Sequence, residues 1–193
     1  MTVQPFNPAD PCARGLHRMP RLSTRSRART LRHRVIVLAP DPVDAVRHAG
    51  GWLFDRAMAG WDALVLTADH ADPRPLSILG ARPIDFECAL SSPVQESWPP
   101  QAIAVGADLY GSDARVRRIV LRALDEGRVD VRLWGEDAAA DLGDEAGPVL
   151  HRLSFAARAF KAQALAAAAV PSGTSEAAEV FRSGAVLRSS GSA

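Results

Sequence analysis

The 193-residue chain has one lysine, Lys161, beside 22 arginines, and it has one tyrosine and two cysteines. Each scarcity excludes something. The missing lysines, set against the many alanines, read as the compositional bias of a GC-rich bacterial genome rather than as a demand for guanidinium chemistry. Cys12 and Cys88 form no CxxC pair and no disulfide framework, so they are read as reduced thiols in a cytosol. No apolar run reaches membrane-spanning length. The longest candidate for a leader's apolar region, Val35 to Ala39, is stopped by Pro40 and Asp41. A soluble, cytoplasmic protein without membrane contact is therefore expected.

Motifs are missing too. Neither GxGxxG nor GxxxxGK[ST] occurs, which excludes a conventional dinucleotide or P-loop site. His17, His33, His48, His70 and His151 show no HxxH or HExxH spacing, and Ser112 has no GxSxG elbow. Neither cysteine carries the local signature of a catalytic thiol.

What is present is an ordinary globular composition, 47% hydrophobic and 23% charged, long enough for one domain with a real core. The net charge of +1 hides a split. Residues 1–34 hold eight arginines against one acid, Asp10, a net +7, whereas residues 35–170 sum to −6. Residues 1–33 show no apolar period and are expected to be a disordered, arginine-rich arm. The arm can meet nucleic-acid phosphates, but it lacks interleaved aromatics and any recognised binding motif. A protein partner or self-association is the favoured expectation. Residues 34–170 are read as a single α/β domain, and 171–193 as a flexible tail rich in Ser, Gly and Ala.

Inside the domain, "RVIVLA" suits a strand buried on both faces. Asp41, Pro42 and Asp44 then open a helix that Gly60 closes. "DALVLTAD", "RPIDFE", "QAIAVGAD" and "DVRLWG" read as four further strands, and a short helix before Gly80 separates the first two. Val116, Ile119, Val120, Ala123 and Leu124 recur at helical spacing between Ser112, taken as the cap, and Gly127. A last helix is expected over 148–168. This alternation predicts a Rossmann-like or flavodoxin-like sandwich of about five mostly parallel strands, with helices on both faces.

Each expected strand is followed by a carboxylate: Asp41, Asp69, Glu87, Asp108 and Glu136. Ligands of open α/β sheets bind at that edge, and neighbouring strands lie only ~5 Å apart. Asp41, Asp69 and Asp108 are thus candidate ligands of a divalent cation, with Glu87, Ser112 and Glu136 completing a ligand edge. His70, between Asp69 and Asp72, can add to such a set. Helix capping explains Asp41 and Asp108 equally well. In placing an acid after its first strand, the layout resembles the receiver domains of response regulators. It departs from them at Glu136, where a hydroxyl residue is needed, and at Lys161, which falls in a helix, so that family is not assigned. Two readings of function follow. The main one is a non-catalytic regulatory or partner-binding module, favoured by the absent fingerprints and the charge-split arm. The alternative is a small metal-assisted enzyme acting on a phosphorylated or nucleotide-like substrate at the strand edge.

Overall fold

Arg34–Ala39 forms strand β1, with Val35 and Val37 buried on one face and Leu38 on the other. A continuous β-branched run does this at the centre of a parallel sheet. The computed structural model describes residues 33–68, 72–91, 100–135, 147–171 and 177–184. Six more strands join β1: β2 (Asp62–Thr67), β3 (Arg82–Asp85), β4 (Ala102–Gly106), β5 (Asp130–Trp134), β6 (Pro148–Arg152) and β7 (Ala178–Gly184). Their order across the sheet is β3-β2-β1-β4-β5-β7-β6. The pairings among β1 to β5 are parallel, and β7 runs antiparallel to both its neighbours. The expected α/β class with helices on both faces is thus found. The first five strands take the Rossmann order rather than the flavodoxin-like one.

The helices are α1 (Pro42–Met58), α2 (Arg74–Ile78), α3 (Phe86–Ser91), α4 (Ala107–Ser112), α5 (Ala114–Glu126) and α6 (Phe155–Ala167). Helices α1, α2 and α6 cover the face carrying Val35, Val37, Val65 and Ala104. Helices α3, α4 and α5 cover the face carrying Leu38, Leu66, Ile103 and Val105. The apolar stripe of α5 is buried as its period requires, with Val116 and Val120 fully enclosed. Its cap is Asp113 rather than Ser112: the Asp113 carboxylate accepts from the backbone N–H of Arg115 at 2.7 Å. Ser112 instead closes α4, its hydroxyl donating to the carbonyl of Asp108 at 2.7 Å.

Two expectations are corrected at the far side of the sheet. Residues 148–168 do not form one helix. Pro148–Arg152 is strand β6, and Ser154 caps the helix that follows, its hydroxyl accepting from Ala157 N–H at 3.0 Å. Alternate β6 residues are exposed, a two-residue rhythm that suits an edge strand and not a helix. Residues 178–184, which fall in the stretch expected to be a flexible tail, form β7 between β5 and β6. Cys88, expected as a reduced thiol, is disulfide-bonded, and Cys12 lies outside the described residues. Among the described residues no helix is long and apolar enough to cross a membrane.

Strand β7 is fastened by a buried carboxylate. Glu179, 2% exposed, accepts from Gly51 N–H at 2.8 Å, Trp52 N–H at 2.9 Å and the Lys161 ammonium at 2.6 Å. Desolvating two charges is tolerable only when their hydrogen-bonding capacity is met, and here α1 gives two backbone donors. A Cβ on Gly51 would fall 2.2 Å from Leu153 Cδ2 and 3.3 Å from Glu179 Oε1. The glycine that looks out of place in a helix is what lets β7 and the β6–α6 turn come so close.

Candidate functional site

The carboxyl ends of β1, β4 and β5 share one edge of the sheet, where the strand order reverses. Asp41 follows β1 and caps α1, its Oδ1 accepting from Asp44 N–H at 2.8 Å. Fixing the first turn of α1 places Asp44 and His48 four residues apart on one side of the helix. His48 Nε2 lies 3.4 Å from Asp44 Oδ1. The second Asp44 oxygen accepts from the indole N–H of Trp134, the last residue of β5, at 3.3 Å. The imidazole of His48 also stacks on that indole, centroids 6.1 Å apart and planes 11° from parallel. The Trp134 ring packs over Gly106 at the end of β4, close enough that a Cβ there would be in van der Waals contact with it at 3.4 Å.

Asp44 and His48 therefore form a pair held against one aromatic wall. Burial raises the Asp44 carboxyl above its ordinary value of 3.8, and His48, Trp134 and Arg47 only partly oppose the rise. His48 remains 41% exposed at its side chain, so its ring can reach a ligand.

His48 borders a cleft of about 370 Å³ lined also by Arg47, Trp134, Pro148, Val180 and Arg182 among others. Leu133 of β5 is in register with Arg182 of β7, which in turn faces Pro148 of β6. Residues 178–180 and 150–152 thus project past the end of β5, and Glu179 to Arg182 with Pro148 make the outer wall. A second, shallower depression of about 490 Å³ follows the solvent side of α5, along Arg117, Arg118 and Leu121. Neither Asp44 nor His48 lies there.

The sequence-derived site residues fare unequally. Asp41 acts as the cap of α1 and is not among the residues that line this cleft. Asp108 is exposed in the first turn of α4, and Ser112 is bonded to its carbonyl. Glu87 lies in α3, directly after β3, and pairs with Arg115 at 2.9 Å. Asp69, His70 and Glu136 fall outside the described residues. Among the described residues, no group of three or more His, Cys, Asp and Glu side chains could hold a metal ion. Sequence reasoning noted Asp44 only as a favourable first-turn acid and passed over His48. The available signal was their i, i+4 spacing directly after the first strand. Nothing local pointed to Trp134 or Arg182.

No protein-family model matches the chain, and no curated protein matches it significantly. Solved structures do. The A40926 pseudoaglycone deacetylase Dbv21 is similar with a TM-score of 0.53 and 20% identity, over 79% of this chain and 97% of its own. A deacetylase solved with teicoplanin, from the biosynthesis pathway of teicoplanin, gives 0.53 and 16% over 78% and 97%. The zinc-inhibited form of teicoplanin deacetylase Orf2 gives 0.50 and 18% over 69% and 82%. At such identities the likeness shows a shared fold. It also corrects the main functional expectation. The regulatory or partner-binding module was favoured because no catalytic fingerprint was visible, yet solved chains with this architecture are deacetylases, so missing fingerprints do not argue against catalysis here.

Proposed function

We propose that this protein is a hydrolase of the deacetylase type, removing an acyl group from an amine at the cleft beside Trp134. The observation that carries the reading is the Asp44–His48 pair, braced by one tryptophan at the strand edge. It is supported by the kind of chemistry performed by solved proteins with the same fold. The enzyme reading made from the sequence keeps its place at the strand edge and changes its substrate, from a phosphorylated or nucleotide-like molecule to an N-acyl amine.

His48 would accept a proton from water as the water oxygen attacks the acyl carbonyl carbon. As the C–N bond breaks, the same imidazole returns that proton to the departing nitrogen, leaving a carboxylic acid and an amine. Asp44 holds the ring orientation and stabilises the imidazolium, and Trp134 fixes both partners. The described residues do not by themselves complete a metal-binding group, so no step here runs through the expected divalent cation.

The test is acetate release from a panel of N-acetylated sugars and amines, with and without added Zn²⁺ or Mg²⁺. His48→Asn is expected to lower kcat by roughly 10²–10⁴-fold while the melting transition is retained. Unchanged turnover in that variant, or no release from any panel member, rejects the proposal.

A further inference from the structure

Cys88 is one half of a disulfide, and the chain has a single other cysteine to be its partner. Cys88 lies in the first turn of α3, three residues beyond the end of β3. Its N–H donates to the Asp85 carboxylate at 2.6 Å, and its neighbour Phe86 is buried in the core. One end of the bridge is thus held by the fold itself.

We infer that the bond joins Cys88 to Cys12 and pins the arginine-rich arm to the carboxyl edge of the sheet. A bridge between two copies would need a second chain, whereas the bond at Cys88 is made within one.

The length of chain allows it. Asp85 is level with Thr67 of β2, which is level with Ala39 at the far end of β1. The arm joins β1 at the opposite end, Arg34. Strand rise and two strand spacings put Arg34 and Asp85 about 20 Å apart. The residues between Cys12 and His33, 13–32, reach about 65 Å when extended, so the bridge closes without pulling on β1.

Two consequences follow from closure. Residues 13–32 hold seven arginines and no acid, and with both ends fixed they stay beside a domain whose residues 35–170 sum to −6. The covalent loop from 12 to 88 also encloses β1 to β3 and with them Asp44 and His48. When the bond forms, two S–H bonds break and one S–S bond is made. The two electrons and two protons pass to a small-molecule disulfide, which leaves as two thiols. None of this depends on the reaction proposed at the cleft.

The test uses the full chain, folded, reduced and then equilibrated with oxidised glutathione. Its intact mass should fall by about 2 Da, without added glutathione and without a covalent dimer. Remaining thiols are alkylated in urea and the chain is digested with trypsin in the absence of reductant. Residues 1–14 should be recovered joined to the peptide that carries Cys88. A brief tryptic cut of the folded protein after Arg14 gives a second readout. In the wild type, residues 1–14 should stay with the domain until dithiothreitol is added, whereas in Cys12→Ser and in Cys88→Ser they are lost at once. Two alkylated cysteines after oxidation, a covalent dimer joined through Cys88, or release of residues 1–14 from the oxidised wild type without reductant overturns the inference.

Discussion

The two halves of α1 differ in almost every physical respect. The first, Asp41 to His48, carries acids and an imidazole at a cleft, and Asp44 there is half-buried with a raised carboxyl pKa. The second, Ala49 to Phe54, is buried throughout and gives two backbone N–H groups to Glu179. One continuous helix thus holds Asp44 and His48 in place by clamping its own middle. The lesson is a division of labour: polar side chains near the cap remain available because backbone packing one turn later supplies the rigidity.

The largest break in that comparison comes from the strand that does the clamping. A chain ending at residue 170 lacks β7, leaving β5 and β6 unpaired on facing edges and Lys161 buried without its carboxylate. It should show no cooperative unfolding transition in urea, and a normal transition would mean that β7 is dispensable. Next is Glu179→Ala. It strands the Lys161 charge and costs about 3–5 kcal/mol by chemical denaturation. The double variant Glu179→Ala with Lys161→Met should recover part of that loss, because the charge is removed along with its partner.

The adjacent glycines sharpen the contrast further. Gly51→Ala drives a methyl into Leu153 and should cost roughly 1–3 kcal/mol. At Gly50 the nearest atoms stand 3.3–3.5 Å from a new Cβ and belong to side chains of Leu79, Val46 and Lys161. The ~1 kcal/mol gain in helix propensity then offsets most of the crowding, so Gly50→Ala should be close to neutral. Equal losses at the two positions would show that the close approach is not specific to Gly51.

The smallest effects are in pH dependence, and they have opposite signs at Asp44 and at Asp55, which follows the buried stretch. For Asp44, burial raises the folded pKa above 3.8, so its ionisation erodes stability as pH climbs through that raised value. For Asp55, burial alone would raise the pKa, but hydrogen bonds from Ser154 and His151 more than reverse it. Its contribution is present above 3.8 and disappears as pH falls through the lowered folded value. Between pH 7 and pH 3, the stability difference between wild type and Asp55→Asn should therefore shrink. The difference between wild type and Asp44→Asn should move in wild type's favour. Parallel curves for the two variants would remove the distinction.

Much of this fold is written locally. β1, β2, β4 and β5 are short apolar runs, and α1 and α5 carry cap, period and stop signals that need no distant partner. β6 and β7 were illegible because their strand character comes from pairing with each other and with β5. In isolation "PVLHR" continues into an alanine-rich helix without a break in hydrophobicity. The site divides the same way. Asp41, Asp44 and His48 stand within eight residues, whereas Trp134 is 90 positions from Asp44 and Arg182 arrives on a strand the pattern did not announce. A pair of neighbouring residues is visible in a line of text. The wall it leans on is not.

Strand β7 lies between two strands that precede it in the chain. On a ribosome, which releases the chain from its first residue onward, the Rossmann-ordered strands can assemble as they emerge, but the gap between β5 and β6 must wait. Until residues 178–184 are out, Lys161 has no counter-charge, the middle of α1 is unclamped, and the wall bearing Arg182 does not exist. The nascent protein therefore carries Asp44 and His48 long before the cleft beside them is walled.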